Sequence, residues 1–402
     1  MRLCIYEDLR TSGFGPLTLT RPVFDLLCGF GPIDSLHRRH FRPSTTGYLV
    51  RPELASVARF RRPNAPVNDS SWLRSTTTIL SNSRWLPPAG TGPIALPNEP
   101  LLAICRDEIA YAILTPEFLS AISPLTLDDC LADWYGTIPW KEVGGIVARS
   151  PGDWLAHNPL QIERDFDAVL PSDGWSRWPA GVSVLGPADR VFIDPSADVE
   201  PNVLIDARQG PVVVAAKARI AAFTRLDGPC VIGAGCVLER ATIRGGTTLG
   251  PGCQVGGLID GCIVQGFLDR PQDGSLMASA IGEWVTIGPY GWVNGAVIGD
   301  QARLAAGINL PTKAVVGAFA SMNLDRAPRL MPSYEMIDAT GEVEPALWSE
   351  IHASVDATLA RHDVRPTEPL VNLYRSIVTG KESPRVPAWA KSDREGILRK
   401  AG

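Results

Sequence analysis

Between residues 190 and 318 an aliphatic side chain returns at a fixed interval of six positions, a spacing that few folds accommodate. The series runs through Ile193, Val199 and Ile205, then Val214, Ile220, Leu226, Ile232 and Leu238. After a five-residue step it continues with Ile243, Leu249 and Val255, resumes at Ile281, Ile287 and Val293, and closes with Ile298, Leu304, Leu310 and Val316. Neither a helix, with its period of about 3.6, nor an amphipathic strand, with a period of about 2, produces this pattern. A hexapeptide β-helix does, because three short strands make one triangular coil and each face sends one aliphatic side chain to the axis. Small residues follow the aliphatic ones, as in VIGAGC, TLGPGC, AIGEWV and VIGDQA, where the chain must turn a corner. Ordinary sandwich strands do not keep phase over so long a span.

The rhythm lapses between Val255 and Ile281, across GGLIDGCIVQGFLDRPQDGSLMASA. That lapse predicts a loop insertion over residues 257–280 projecting from a regular scaffold, the kind of place where solenoids carry binding or catalytic groups.

Residues 1–170 read differently. LCIYE, TTTIL and LLAIC are short apolar runs of strand character, while PEFLSAI and the stretch before DFDAVL have helical spacing, which together predict an α/β domain. LPSDGWSRWPAG opens a linker over 171–189. Beyond the repeat, EPALWSEIHASVDATLARH and EPLVNLYRSIV predict two helices in a tail over 319–402, whose end, SPRVPAWAKSDREG, is expected to be loosely held.

A net charge of −5 offers no basic field for nucleic acid or an anionic membrane, so an anionic substrate must be met by local arginines. The start of the chain lacks the pattern of an export signal, and no apolar run approaches the roughly 18 residues of a membrane span. The eight cysteines form no C-x-x-C pair, which fits reduced thiols and a cytoplasmic protein.

Four segments carry a resemblance: GPLTLTRPVFDLLCGFGPI (15–33), ILSNSRWLP (79–87), SPGDWLAHNPLQIERDF (150–166) and VGGLIDGCIVQGFLDRPQDGSLMASAIGEW (255–284). Together, and in order, they resemble a family of sugar nucleotidyltransferases related to the bifunctional UDP-N-acetylglucosamine pyrophosphorylase/glucosamine-1-phosphate acetyltransferase. The resemblance implies an α/β nucleotide-sugar transferase-like domain fused to a left-handed parallel β-helix of the hexapeptide-repeat acyltransferase type, with a helical C-terminal extension. It implies a nucleoside triphosphate and a sugar 1-phosphate as substrates, Mg²⁺ as cofactor, acetyl-CoA if acyl transfer persists, and a homotrimer built on the β-helix.

The resemblance also places candidate residues. Arg21, in the T-R-P motif, is a candidate phosphate contact, with a structural pairing to Glu7 or Asp8 as the alternative. Asn82 and Arg84 follow a strand whose C-terminal end faces the ligand crevice of an open α/β sheet, and either reads substrate or shapes a turn. Asp107 and Glu108 are candidate metal ligands without a signature, and acids in such a place equally form a solvated face.

In the family's acetyltransferase loop, K-x-H-D-G, histidine is the implied base. Here the aligned residues are Arg270, Pro271, Gln272, Asp273 and Gly274. Glutamine takes no proton near neutrality, and all five histidines lie outside the repeat, so Asp273 or Glu283 would have to act as base with a pKa raised by burial. Arg270, Gln272 and Trp284 remain candidate substrate contacts, with Gly-Glu-Trp alternatively a corner-and-packing element. Three functions follow: a nucleotidyltransferase with an inactive or altered acyltransferase half, a non-catalytic nucleotide-sugar-binding protein, or a sugar acyltransferase with a carboxylate base.

Overall fold

The computed structural model describes residues 1–89, 99–169, 178–270, 273–324 and 326–380. Residues 171–177 of the predicted linker and the end of the tail lie outside them, as do Pro271 and Gln272, whereas the rest of the linker is described and already contains the strand Ser183–Leu185.

The N-terminal domain is built on a six-stranded sheet of β1 (Arg2–Tyr6), β2 (Thr45–Leu49), β3 (Thr78–Asn82), β4 (Leu101–Cys105), β5 (Glu108–Leu114) and β6 (Trp140–Glu142), in the order β2-β1-β3-β5-β4-β6. β1, β2 and β3 are parallel, and β5 runs against its neighbours β3 and β4. Alternation within β1 explains its place: Leu3 and Ile5 join one buried cluster, Cys4 and Tyr6 another, so both faces of the strand are covered. Because β5 is antiparallel, its first residue, Glu108, lies at the same edge as the ends of β1 and β3. Helices α1 (Ile33–Phe41) and α2 (Pro151–Val169) belong to this half.

The second half is a parallel β-helix running from Ser183–Leu185 to Glu335–Ile337, with nine stacked strands on one face. Its inner side chains form columns. Val214, Ile232, Leu249, Val264, Ile281, Ile298, Val316 and Met331 succeed one another on one face. Ile205, Leu226, Ile243, Ile259, Leu276 and Val293 do so on a second. This is the axial burial that the six-residue period predicts.

The described residues of 257–280 do not project as a loop. Strands Gln254–Asp260, Ile263–Gly266, Asp269–Arg270 and Ser275–Met277 all pair in parallel with the coils on either side. The rhythm was hidden for two reasons. The steps from Val255 to Ile259 and on to Val264 are short, turned by Gly256–Gly257 and Gly261, and the next inner position is an arginine rather than an aliphatic residue.

The solenoid also outlasts its predicted end at residue 318. Strands Ser321–Met322, Leu330–Met331 and Glu335–Ile337 add to the stack, and Val343–Pro345 folds back antiparallel on the last of them. Only then come α3 (Trp348–Ala360) and α4 (Glu368–Thr379). The described cysteines are all free thiols, and no helix is long and apolar enough to cross a membrane.

One face of the β-helix is covered by the N-terminal domain. Outward residues Ile263, Ala280 and Val297 join a buried cluster with Phe14, Leu17, Val23, Leu26 and Trp154, and Val213 and Val231 pack with Ile162 of α2. Asn158 of α2 fastens the contact, donating to the Gly246 carbonyl at 2.9 Å and to Thr248 Oγ1 at 3.0 Å while accepting from Gly29 N–H at 2.8 Å.

Candidate functional site

The C-terminal edge of the sheet gathers a buried ionic network. β1 delivers Asp8, β3 delivers Asn82 and Arg84, and β5 begins with Glu108. Asn82 Nδ2 donates to Asp8 Oδ2 at 3.0 Å, and its own Oδ1 accepts from the Arg84 backbone N–H at 3.0 Å. The Arg84 guanidinium reaches Asp8 Oδ1 through Nε at 2.9 Å, Asp8 Oδ2 through Nη2 at 2.6 Å, Glu108 Oε2 through Nη2 at 2.7 Å, and the Ala148 carbonyl through Nη1 at 3.0 Å. Its donors are thus spent inside the protein, and Arg84 is a buried brace rather than a free cation.

Two further arginines stand on this brace. Arg149 Nε donates to Glu108 Oε1 at 2.6 Å and Arg10 Nη1 approaches the same oxygen at 3.2 Å, yet their side chains are 63% and 68% exposed. Burial alone pushes the Glu108 carboxyl up, but the hydrogen bonds and charges of Arg84, Arg149 and Arg10 outweigh it and hold the group below its ordinary value. The result is a fixed anion beneath and two outward guanidinium groups above, at the edge where open α/β sheets bind ligands. Sequence reasoning missed Arg10 and Arg149. The available signal was their position: Arg10 opens the RTSGFG loop after β1, and Arg149 immediately precedes the SPGDW segment.

Arg21 lies elsewhere. Its segment is held near the sheet edge, where Glu7 Oε1 accepts from the Val23 N–H at 3.0 Å and Arg51 Nη2 donates to the Thr18 carbonyl at 2.5 Å. The side chain turns the other way and enters the β-helix, pairing with Glu283 at 2.5 Å and Asp300 at 2.6 Å, and Thr20 Oγ1 also bonds Asp300. Asp300 in turn accepts the Glu283 backbone N–H at 2.7 Å. The structure thus brings together Arg21 and Glu283 in a pair that joins the two halves of the molecule. For Glu283, desolvation raises the pKa but the Arg21 charge more than compensates, so the carboxyl is held below its usual range. A general base needs the opposite shift.

The remaining candidates separate. Arg270 is fully buried and occupies the third inner column, between Val255 and Ile287, where Nη1 donates to the Gly256 carbonyl at 2.7 Å. Its Nε and Nη2 have no partner among the described residues, and burial pushes the guanidinium pKa down. Asp273 is exposed on the surface. Trp284 is buried, stacked face to face on Phe267 at 3.8 Å, with His362 against the edges of both rings. Gln272 lies outside the described residues.

The implied Mg²⁺ does not fit the donors present. No three acidic, histidine or cysteine side chains converge among the described residues, Asp107 is exposed on a turn, and Glu108 is committed to arginines.

Comparison with known proteins bears on the half that carries the sheet-edge network. Residues 3–171 match the family model described as sugar nucleotidyl transferase. The sheet, Arg10, Arg84, Glu108 and Arg149 all fall inside the matched segment, and the β-helix falls outside it. No curated protein matches the chain. Among solved structures, a UDP-N-acetylglucosamine acyltransferase from Campylobacter jejuni is similar at 13% identity and a TM-score of 0.29, over 52% of this chain and 90% of that one. A UDP-N-acetylglucosamine acyltransferase of Francisella novicida is similar at 16% identity and a TM-score of 0.20, over 44% and 73%. Both overlaps are loose.

Proposed function

We propose that the α/β domain is a nucleotidyltransferase that joins a sugar 1-phosphate to a nucleoside triphosphate, at the sheet edge marked by Arg10 and Arg149. The observation that carries this reading is the presentation of those two guanidinium groups on one buried carboxylate, within the segment that matches the sugar nucleotidyl transferase model. In the reaction an oxygen of the sugar phosphate attacks the α-phosphorus, and the bond to pyrophosphate breaks. Arg10 and Arg149 bind the triphosphate oxygens and stabilise the negative charge that moves onto the leaving group. Arg84 and Asp8 keep Glu108 in place so that neither arginine has to reorganise. Mg²⁺ enters this scheme as the counter-ion of the nucleotide substrate.

On this reading the β-helix is a scaffold without acyl transfer, and a homotrimer is its expected assembly. Glu283 is tied to Arg21, whose charge holds its carboxyl below the usual range where a replacement base requires the opposite shift, and Asp273 stands exposed on the surface rather than in a buried site. A second reading, a protein that binds a nucleotide sugar without turnover, is favoured by the pairing of Asp8 and Glu108 with Arg84, which leaves no acidic set for a catalytic metal among the described residues.

The deciding experiment is pyrophosphate release by the full chain with Mg²⁺, across four nucleoside triphosphates and a panel of sugar 1-phosphates including N-acetylglucosamine 1-phosphate. Release with one pair is expected and names the substrates. Silence across the panel together with binding of a nucleotide sugar would replace the enzyme reading with the second one.

A further inference from the structure

All three edges of the β-helix place residues other than glycine in the left-handed region at coil corners, where a Cβ carries a steric cost, and two of them place aromatic residues there. Along one edge Phe267, Trp284, Phe319 and Tyr334 have φ of 52°, 62°, 60° and 63°, and α3 and α4 cover them. Along the other, Phe223 and Tyr290 have φ of 66° and 61° but remain 72% and 69% exposed, and Trp292, two residues on, is 52% exposed. On the first edge burial offsets the strained corners. On the second, the two rings stay exposed, and large apolar side chains left uncovered along one edge point to an external partner.

Between Phe223 and Tyr290 lies a groove of about 610 Å³, within the range of small-ligand sites. Gly257 takes the corner position between Arg240 and Asp273 at a φ of 66°, where a Cβ would meet the Gly274 carbonyl oxygen at 2.6 Å, so the glycine admits the backbone of the next coil. Glu239, Arg240 and Asp273 line the groove with both signs of charge. Glu200, also in the lining, is already engaged, bonded to the Ala222 N–H at 2.9 Å and paired with Arg219 at 3.6 Å.

We infer that this groove binds an oligosaccharide. Exposed aromatic rings present their electron-rich faces to the C–H face of a sugar ring, and carboxylate and guanidinium groups set between them accept from and donate to its hydroxyls. The mixture argues against a second copy of the chain as occupant, because the centre of a protein interface is depleted in charge. The groove lies on the β-helix, away from the sheet edge, and the inference stands whether or not that edge transfers nucleotides.

The test is titration of the full chain with chitotriose, cellotriose and maltotriose, followed by saturation-transfer NMR and by the fluorescence of the tryptophans. One of the three is expected to bind, with affinity lowered about tenfold or more by Phe223→Ala and by Tyr290→Ala. Phe60→Ala, which removes an exposed ring on the other domain, leaves it unchanged. Absence of binding by all three sugars, or binding that survives both substitutions, overturns the inference. So does sedimentation showing an oligomer that Phe223→Ala dissociates, since the edge would then be a subunit interface.

Discussion

Arg270 sits where every other inner position of its column is apolar, between Val255 and Ile287, with one hydrogen bond from Nη1 and two nitrogens unpaired among the described residues. A desolvated cation in that position opposes folding, since neither charge nor hydrogen-bond partners repay the loss of water. Arg270→Leu is therefore expected to stabilise the chain by about 1–4 kcal/mol in urea unfolding. A loss of stability would show that the guanidinium supports the coil. Arg270 also marks a limit of reading the sequence. Ile193, Val255 and Ile281 announced the solenoid through their period, but an arginine in the column looked like the start of a loop. Arg21 was harder still, because its partner Glu283 is 262 positions away and no local pattern connects them.

At the scale of elements, the corner residues decide what docks where. Trp284 and Phe267 stack on adjacent coils, and this ladder with Phe319 is the surface on which α3 and α4 rest through Ile351, Val355, Leu359 and Tyr374. Trp284→Ala should cost about 3–5 kcal/mol and should speed amide exchange in residues 348–379 more than in the coils. Equal protection of both helices in the variant would mean that the ladder does not anchor them. The two helices were legible from their apolar spacing and their positions were predicted closely. Their docking surface was not, because aromatic residues at corners interrupt no period and carry no mark of which edge they face.

At the scale of the molecule, the α/β domain, whose residues 3–171 match a sugar nucleotidyl transferase model, is fixed against one face of a parallel β-helix by Asn158, by the Arg21 pairs with Glu283 and Asp300, and by a shared apolar cluster. The division into two architectures was readable from period alone, but the buried face between them was not, since Ile263, Ala280 and Val297 look like any outward positions of a coil. The proposed nucleotide site is at the sheet edge, where Arg10 and Arg149 share Glu108. The most direct measurement is a calorimetric titration of the nucleoside triphosphate into the wild-type chain and into Arg10→Ala/Arg149→Ala. Removal of two charge-assisted contacts, each worth about 1.5–3 kcal/mol, predicts a fall in affinity of at least about a hundredfold. Unchanged affinity in the double variant would contradict the placement of the triphosphate at this edge.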